Sequence, residues 1–182
     1  MNTSIGVIHG RFQPVHKGHV EYLLAGLKRC DRLLIGLSNP DPGLTLPDGA
    51  DGHRHRPEAN PFTYYERFLM LQEVLLAEGA ARESFAVVPF PINNPELLKF
   101  YVPFEATFFI TIYDEWGERK LKTLTDLGLT TEVMWRRHIS DRLTTGTEVR
   151  ELMRRGSERW RDLVPPAVCN LFDQGKIKSL AD

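Results

Sequence analysis

The sequence has few cysteines, no marked excess of charge of either sign and no long apolar run. Two cysteines among 182 residues allow at most one disulfide, which argues against a disulfide-held secreted domain and for a reducing compartment. Lysine and arginine total 23 and aspartate and glutamate 24, which gives a formal net charge of -1. A chain balanced in this way has no overall field that attracts nucleic acid or an anionic membrane. An anionic ligand must therefore meet a local cluster of donors.

Targeting and membrane-spanning segments are also missing from the sequence. The N-terminus has neither a basic opening nor a long apolar run, so it does not read as a signal peptide. No apolar stretch approaches the ~20 residues that a membrane helix needs. We therefore expect a cytoplasmic protein whose partners are small molecules rather than nucleic acid or membrane. The sequence does not decide between a monomer and a homo-oligomer.

Short apolar runs alternate with amphipathic stretches along the chain. Such runs are typical of strands covered on both faces, and helices between them favour parallel connections. We therefore expect an α/β, Rossmann-like fold, a parallel sheet with helices on both faces. The predicted strands are 5–9, 32–37, 85–90, 106–112 and 132–135, with helical segments between and after them. These segments include a helix that opens with the capping-box pair Thr63 and Glu66 and a short helical piece at 96–102. Residues 1–182 are expected to form one domain, with a long loop at 38–61 and a C-terminal helical part at 145–182.

The turn after the first predicted strand has the features of a phosphate site. His16 and His19 are three residues apart in the first turn of a helix, so their imidazoles point the same way. Helix N-termini offer free N–H groups that suit phosphate oxygens. Gly10 lets backbone approach a ligand, and Gly18 removes a side chain that would crowd a triphosphate. The alternative, ordinary surface or capping histidines, does not account for the whole block at 10–19.

A second segment, Thr145-Gly146-Thr147-Glu148-Val149-Arg150, opens a late helix. Thr145 and Glu148 have the spacing of a capping box. Capping and phosphate binding are compatible, because both use the N-terminus of a helix. Arg150 lies within reach of a β- or γ-phosphate; the alternative is a solvated surface arginine.

These segments together resemble the HxGH nucleotidylyltransferases, particularly the archaeal-type nicotinamide-nucleotide adenylyltransferases. The resemblance also includes residues 60–63, 66–67 and 160–168 and so spans most of the chain. It implies an in-line attack by an acceptor phosphate oxygen on the α-phosphorus of ATP, with pyrophosphate leaving. His16 and His19 would hold the α/β-phosphates, and Thr145 and Arg150 the β/γ end. The other nucleotide-binding residues would be Gly10, Arg11, Phe12, Lys17, Gly18 and Thr147.

Magnesium is expected to arrive on the nucleotide, without a metal site made by the protein. The acceptor site departs from the resembled pattern, because Leu98 stands where those enzymes place a tryptophan that stacks on nicotinamide. Asp114 either binds ribose hydroxyls or caps a helix, and Trp116 either stacks on the acceptor or packs in the core. The candidate acceptor residues are Arg11, Asn93, Asn94, Tyr113, Asp114 and Trp116.

The loop at 38–61 contains His53-Arg54-His55-Arg56 and is longer than the corresponding loop of the resembled enzymes. Two histidines without a third ligand nearby are weak support for a metal site. A basic lid that closes on the acceptor phosphate and a solvated, disordered loop are both compatible with this composition.

Three functions follow from these features. The first is transfer of AMP from ATP to nicotinamide mononucleotide, which gives NAD and pyrophosphate. The alternative is a cytidylyl- or adenylyltransferase that acts on another phosphorylated or phosphonate small molecule. The third is a nucleotide sensor without turnover, which the full set of His16, His19 and Arg150 disfavours. The segment at 145–150 favours the adenylyl donor, because related cytidylyltransferases usually carry a different late motif.

Overall fold

The structure, a computed structural model, describes residues 3–44 and 56–180. Within these ranges five strands form one sheet in the order β3-β2-β1-β4-β5, and every neighbouring pair is parallel. This confirms the expected parallel α/β architecture. The strands are β1 (Thr3–Gly10), β2 (Cys30–Ser38), β3 (Phe85–Phe90), β4 (Thr107–Ile112) and β5 (Thr130–Arg136).

Two apolar clusters cover the two faces of the sheet. Neighbouring residues of a strand point to opposite faces, and in β1 Ile8 belongs to one cluster while Val7 belongs to the other. The first cluster includes residues of four helices and the second includes Leu124 of the remaining one. The described helices are α1 (Lys17–Leu27), α2 (Tyr64–Ala77), α3 (Glu115–Asp126), α4 (Gly146–Arg154) and α5 (Pro166–Asp173).

The predicted helix starts agree with the structure because local hydrogen bonds fix them. The hydroxyl of Thr63 accepts from the backbone N–H of Glu66 at 3.2 Å, and the Glu66 carboxylate accepts from the backbone N–H of Thr63 at 2.8 Å. Thr145 accepts in the same way from the N–H of Glu148 at 3.2 Å. The segment predicted as helical near 96–102 is a 3-10 turn, Pro95–Phe100, and a further 3-10 turn, Glu158–Leu163, was not predicted.

The strand order places a crevice between β1 and β4. β1 pairs with β2 on one side and with β4 on the other. The strands β2 and β3 therefore extend the sheet to one side of β1, and β4 and β5 extend it to the other. Ligands of open α/β sheets bind at the carboxyl ends of the strands at such a switch point. The turn after β1 and the turn after β4 both open into it.

The predicted loop begins where β2 ends, at Ser38, and contains 3-10 turns at Pro42–Leu44 and Pro57–Ala59. His53, Arg54 and His55 of the predicted lid lie outside the described residues. Among the described helices, none combines the length and apolar character needed to cross a membrane.

Candidate functional site

A cavity of about 310 Å³ lies at the carboxyl ends of β1 and β4, between the N-termini of α1 and α4. It brings together most of the side chains that the sequence singled out. Lys17 is exposed and does not line it, and neither do Asn93 and Asn94. The predicted residues that do line it are Gly10, Arg11, Phe12, His16, Gly18, His19, Tyr113, Asp114, Trp116, Thr145, Thr147 and Arg150.

The two histidines of the first motif form a stacked pair. Their ring centroids are 3.6 Å apart and their planes differ by 22°. The backbone N–H of His16 donates to Nδ1 of His19 at 3.2 Å. Because Nδ1 of His19 accepts a hydrogen bond, the proton of its neutral ring lies on Nε2. His19 therefore has an Nε2–H donor available for a phosphate oxygen.

Both histidines are neutral in the free protein at pH 7. Burial, with smaller contributions from Arg142 and Arg150, lowers the pKa of His16 to about 3. Burial also lowers the pKa of His19 well below its ordinary value, as do the nearby His16, Arg11 and Lys120. Desolvation disfavours the charged imidazolium, so in the free protein these rings donate as neutral groups.

Arg150 is buried and connects the two motifs. Its side chain is 4% exposed, which excludes a solvated surface arginine. Nη1 donates to the carbonyl oxygen of Gln13 at 2.7 Å, and Nη2 donates to the hydroxyl of Thr147 at 3.2 Å. Burial, then the nearby Arg154, lowers the pKa of Arg150 to about 10, so the guanidinium remains charged at neutral pH.

Two glycines keep these side chains in place. A Cβ at Gly146 would lie 2.9 Å from the carbonyl oxygen of Gln13 and 3.2 Å from Nη1 of Arg150. A Cβ at Gly18 would lie 3.3 Å from the ring of His16. A side chain at position 146 would therefore crowd Gln13 and Arg150, and one at position 18 would crowd His16.

Phe12 shapes the turn between β1 and α1. Its backbone has φ of 52°, a region that non-glycine residues rarely adopt. This conformation turns the ring inward, where it is 1% exposed and its centroid lies 4.7 Å from that of His19. The apolar ring therefore forms one side of the His19 environment.

The turn after β4 holds its side chains by hydrogen bonds and ring contacts. Oδ1 of Asp114 accepts from the N–H of Gly117 at 3.0 Å, and Oδ2 accepts from Nη2 of Arg142 at 2.7 Å. Asp114 is therefore a helix cap with an ion-pair partner. Trp116 is partly exposed and lines the cavity rather than joining either apolar cluster, with Nζ of Lys120 4.1 Å from its ring centroid.

Sequence reasoning missed three residues that hold the site. The side-chain amide of Gln13 forms a reciprocal pair with the backbone of Phe62, at 2.8 Å and 2.9 Å. Arg67 is 2% exposed and donates to the carbonyl oxygens of residues 11, 38, 39 and 63. The signal for Arg67 was its position on the otherwise apolar face of α2. His9, the polar end of an apolar strand, also lines the cavity.

The cavity concentrates positive charge within a nearly neutral chain. Four cationic side chains line it, Arg11, Lys120, Arg142 and Arg150, against two carboxylates. Both carboxylates are paired: Asp114 with Arg142, and Glu21 with Arg137 at 2.8 Å. Over the described residues, no group of three or more His, Cys, Asp or Glu side chains is placed to hold a metal ion.

The fold and this site together define the class as a nucleotidyltransferase. Residues 7–98 match a family model described as cytidylyltransferase-like. The chain is 49% identical over 172 residues to a phosphonoformate cytidylyltransferase of Streptomyces viridochromogenes, covering 94% of this chain and 92% of that protein. It is 31% identical over 183 residues to a nicotinamide-nucleotide adenylyltransferase of Caldivirga maquilingensis, covering 94% and 88%. The chain belongs to the cytidylyltransferase-like family and is a nucleotidyltransferase.

A solved structure agrees on the fold. A bifunctional NMN adenylyltransferase/ADP ribose pyrophosphatase from Francisella tularensis superposes with a TM-score of 0.62 at 17% identity, over 94% of this chain. This chain spans 50% of that protein. The family model and the sequence relatives confirm the resemblance to nucleotidylyltransferases that the motifs predicted. Of the two enzymatic interpretations, the 49% identical relative favours the alternative over nicotinamide mononucleotide as acceptor.

Proposed function

We propose that this enzyme transfers the cytidylyl group of CTP to an oxygen of a small acceptor that carries a phosphonate or phosphate, releasing pyrophosphate. The observation that carries the proposal is the convergence of His16, His19, Thr145 and Arg150 on one cavity. The choice of donor and acceptor is supported by the 49% identity to a phosphonoformate cytidylyltransferase. That similarity outweighs the late motif, which had favoured ATP.

The reaction needs positioning and charge stabilisation more than covalent chemistry. An acceptor oxygen attacks the α-phosphorus in line, the bond to the bridging α–β oxygen breaks, and pyrophosphate takes up the negative charge. His16 and His19 would orient the α- and β-phosphate oxygens, while Thr145, Thr147 and Arg150 hold the distal phosphates. Groups fixed before the substrate binds stabilise such developing charge without reorganisation.

The side chains of the two motifs provide most of the binding energy. A hydrogen bond that involves a charged group is worth ~1.5–3 kcal/mol. The dipole of a partly exposed helix end contributes about 0.3–1 kcal/mol. The helix N-termini therefore orient the triphosphate, and Arg150 with the stacked histidines sets its affinity.

Magnesium would enter with the triphosphate as part of the substrate. Both carboxylates that line the cavity already accept hydrogen bonds from arginines. An Mg²⁺ ion commonly keeps water and substrate phosphates as ligands. The protein would then contact the ion through the phosphates it carries.

The acceptor side offers little support for nicotinamide mononucleotide. Leu98, at the position of the stacking tryptophan in the resembled enzymes, is fully buried in the second apolar cluster. Asn93 and Asn94, the candidate amide partners, do not line the cavity. A small acceptor without an aromatic ring needs neither a stacking side chain at position 98 nor amide partners at positions 93 and 94.

The test is pyrophosphate release with each nucleoside triphosphate crossed against a panel of acceptors. The panel contains phosphonoformate, other small phosphonates and phosphates, and nicotinamide mononucleotide. We expect the highest kcat/KM for CTP with a small phosphonate. A preference for ATP with nicotinamide mononucleotide would reverse the assignment, and no release with any pair would indicate a nucleotide sensor.

A further inference from the structure

His9 is a buried polar residue whose ring has no hydrogen-bond partner among the described residues. It is 2% exposed, and both Nδ1 and Nε2 are buried without a partner. The preceding residues Val7 and Ile8 are apolar and fully buried. A buried polar group left unpaired destabilises the folded state. Because His9 lines the cavity, a bound ligand is the natural partner for these nitrogens.

The surroundings hold the His9 ring in one orientation. Gly36 of β2 is the register partner of His9, and a Cβ there would lie 2.6 Å from the ring of Phe90. The bare glycine thus lets Phe90 reach across β2 and stack on His9, with centroids 4.5 Å apart and planes 12° from parallel. This contact fixes the imidazole plane before any ligand binds.

Lys120 brings a positive charge to the same cavity. It lines the cavity from α3, with its ammonium over the ring of Trp116. Burial, and then the charge of Lys120, lowers the pKa of His9 well below its ordinary value. His9 is therefore a neutral N–H donor near a cation. The same ammonium lowers the pKa of His19, so Lys120 lies within electrostatic range of both histidines.

We propose that His9 and Lys120 form a subsite for a second anionic group of the acceptor, a carboxylate carried close to its phosphonate or phosphate. One N–H donor beside an ammonium suits a carboxylate, which accepts hydrogen bonds and gains from an adjacent positive charge. Because His9, His19 and Lys120 all line one cavity of about 310 Å³, an acceptor whose phosphonate faces His19 must be compact to reach His9 as well. This inference rests on the proposed function, because it presumes a small acceptor at this end of the cavity.

Isothermal titration calorimetry tests the subsite directly, with α,β-methylene-CTP present and absent. The two ligands are phosphonoformate, which carries a carboxylate, and methylphosphonate, which does not. We expect wild-type protein to bind phosphonoformate at least ~10-fold more tightly, the ratio that one charge-assisted hydrogen bond supplies. His9→Leu and Lys120→Met should reduce this preference to about twofold or less.

Matched variants distinguish binding from a structural role. Lys122 lies on the same helix, is exposed and pairs with Asp126, so Lys122→Met should keep the preference. His9→Leu replaces an unpaired polar ring with an apolar side chain and should melt at or above the wild-type temperature. If it fails to fold, His9→Gln and Lys120→Met still decide: Gln keeps an N–H donor and should retain part of the preference.

The outcomes separate this inference from the proposed function. Equal affinity of wild-type protein for the two ligands overturns the subsite, as does a preference that survives in both His9→Leu and Lys120→Met. A preference lost in those variants, combined with no pyrophosphate release from any pair of the panel, supports the subsite and overturns the assigned reaction.

Discussion

Nη1 of Arg150 donates to the main-chain carbonyl oxygen of Gln13 across 2.7 Å. This contact joins α4 to the turn that precedes α1, two segments that are more than one hundred residues apart in the chain. The side chain of Gln13 is held in turn by the backbone of Phe62. The spacing between the stacked histidines and Arg150 is therefore fixed by hydrogen bonds before a triphosphate arrives.

Arg150→Lys should lower kcat/KM for the triphosphate by roughly 10- to 150-fold, because a lysine keeps the charge but loses one of the two directed hydrogen bonds. Steady-state pyrophosphate release measures the effect. Arg154→Lys, an exposed arginine on the same helix, is the control and should have wild-type kinetics. Equal rates for Arg150→Lys and wild-type protein would remove the directed guanidinium from the mechanism.

His19→Ala should reduce turnover by orders of magnitude while the melting temperature stays close to that of wild-type protein. The assigned tautomer predicts a further difference between the two amide replacements. The amide nitrogen of glutamine is as many bonds from Cβ as Nε2 of histidine, whereas that of asparagine matches Nδ1. Since Nε2–H is the free donor, His19→Gln should retain more activity than His19→Asn. The reverse order would show that Nδ1 contacts the substrate.

The sheet and the two motifs could be predicted because local signals specify them. Continuous apolar runs marked every strand, and the capping pairs at Thr63 and Thr145 marked two helix starts. Side chains that act across the fold left weaker signals. Arg67 binds carbonyl groups at the ends of two strands, and only its place on an apolar helix face distinguished it from a surface arginine.

The part of the cavity around His9 was harder to predict because its residues meet only in three dimensions. His9 and Phe90 lie on different strands, and their contact depends on a bare glycine at position 36 between them. Periodicity does not encode such a contact. Asp114 was open to two interpretations for a similar reason, since its partner Arg142 is 28 residues away.

Gly146→Ala should weaken nucleotide binding without unfolding the protein. The new Cβ would press on the carbonyl oxygen of Gln13 and on Arg150, which separates the two groups that the contact joins. Alanine is otherwise favoured over glycine in helices by up to about 1 kcal/mol. We therefore expect a higher KM for the triphosphate with little change in melting temperature. An unchanged KM would mean that the turn before α1 adjusts without cost.

The low pKa of His16 makes the stability of the fold depend on pH. The folded pKa is about 3 and the ordinary value about 6.5, so between these values the unfolded chain binds a proton that the folded chain does not. Stability is therefore lost as the pH falls through 6.5 towards 3. From pH 7.5 to 5.5 this histidine alone should cost about 1 kcal/mol of unfolding free energy.

Urea unfolding of wild-type protein and His16→Asn at both pH values measures that contribution. Asparagine does not titrate, so the loss of stability between pH 7.5 and 5.5 should be smaller in the variant by about 1 kcal/mol. His138→Asn, at an exposed histidine, is the control and should show the wild-type loss. The same loss in His16→Asn and wild-type protein would mean that His16 takes up a proton in the folded state, and its role would then be that of a cation facing the triphosphate.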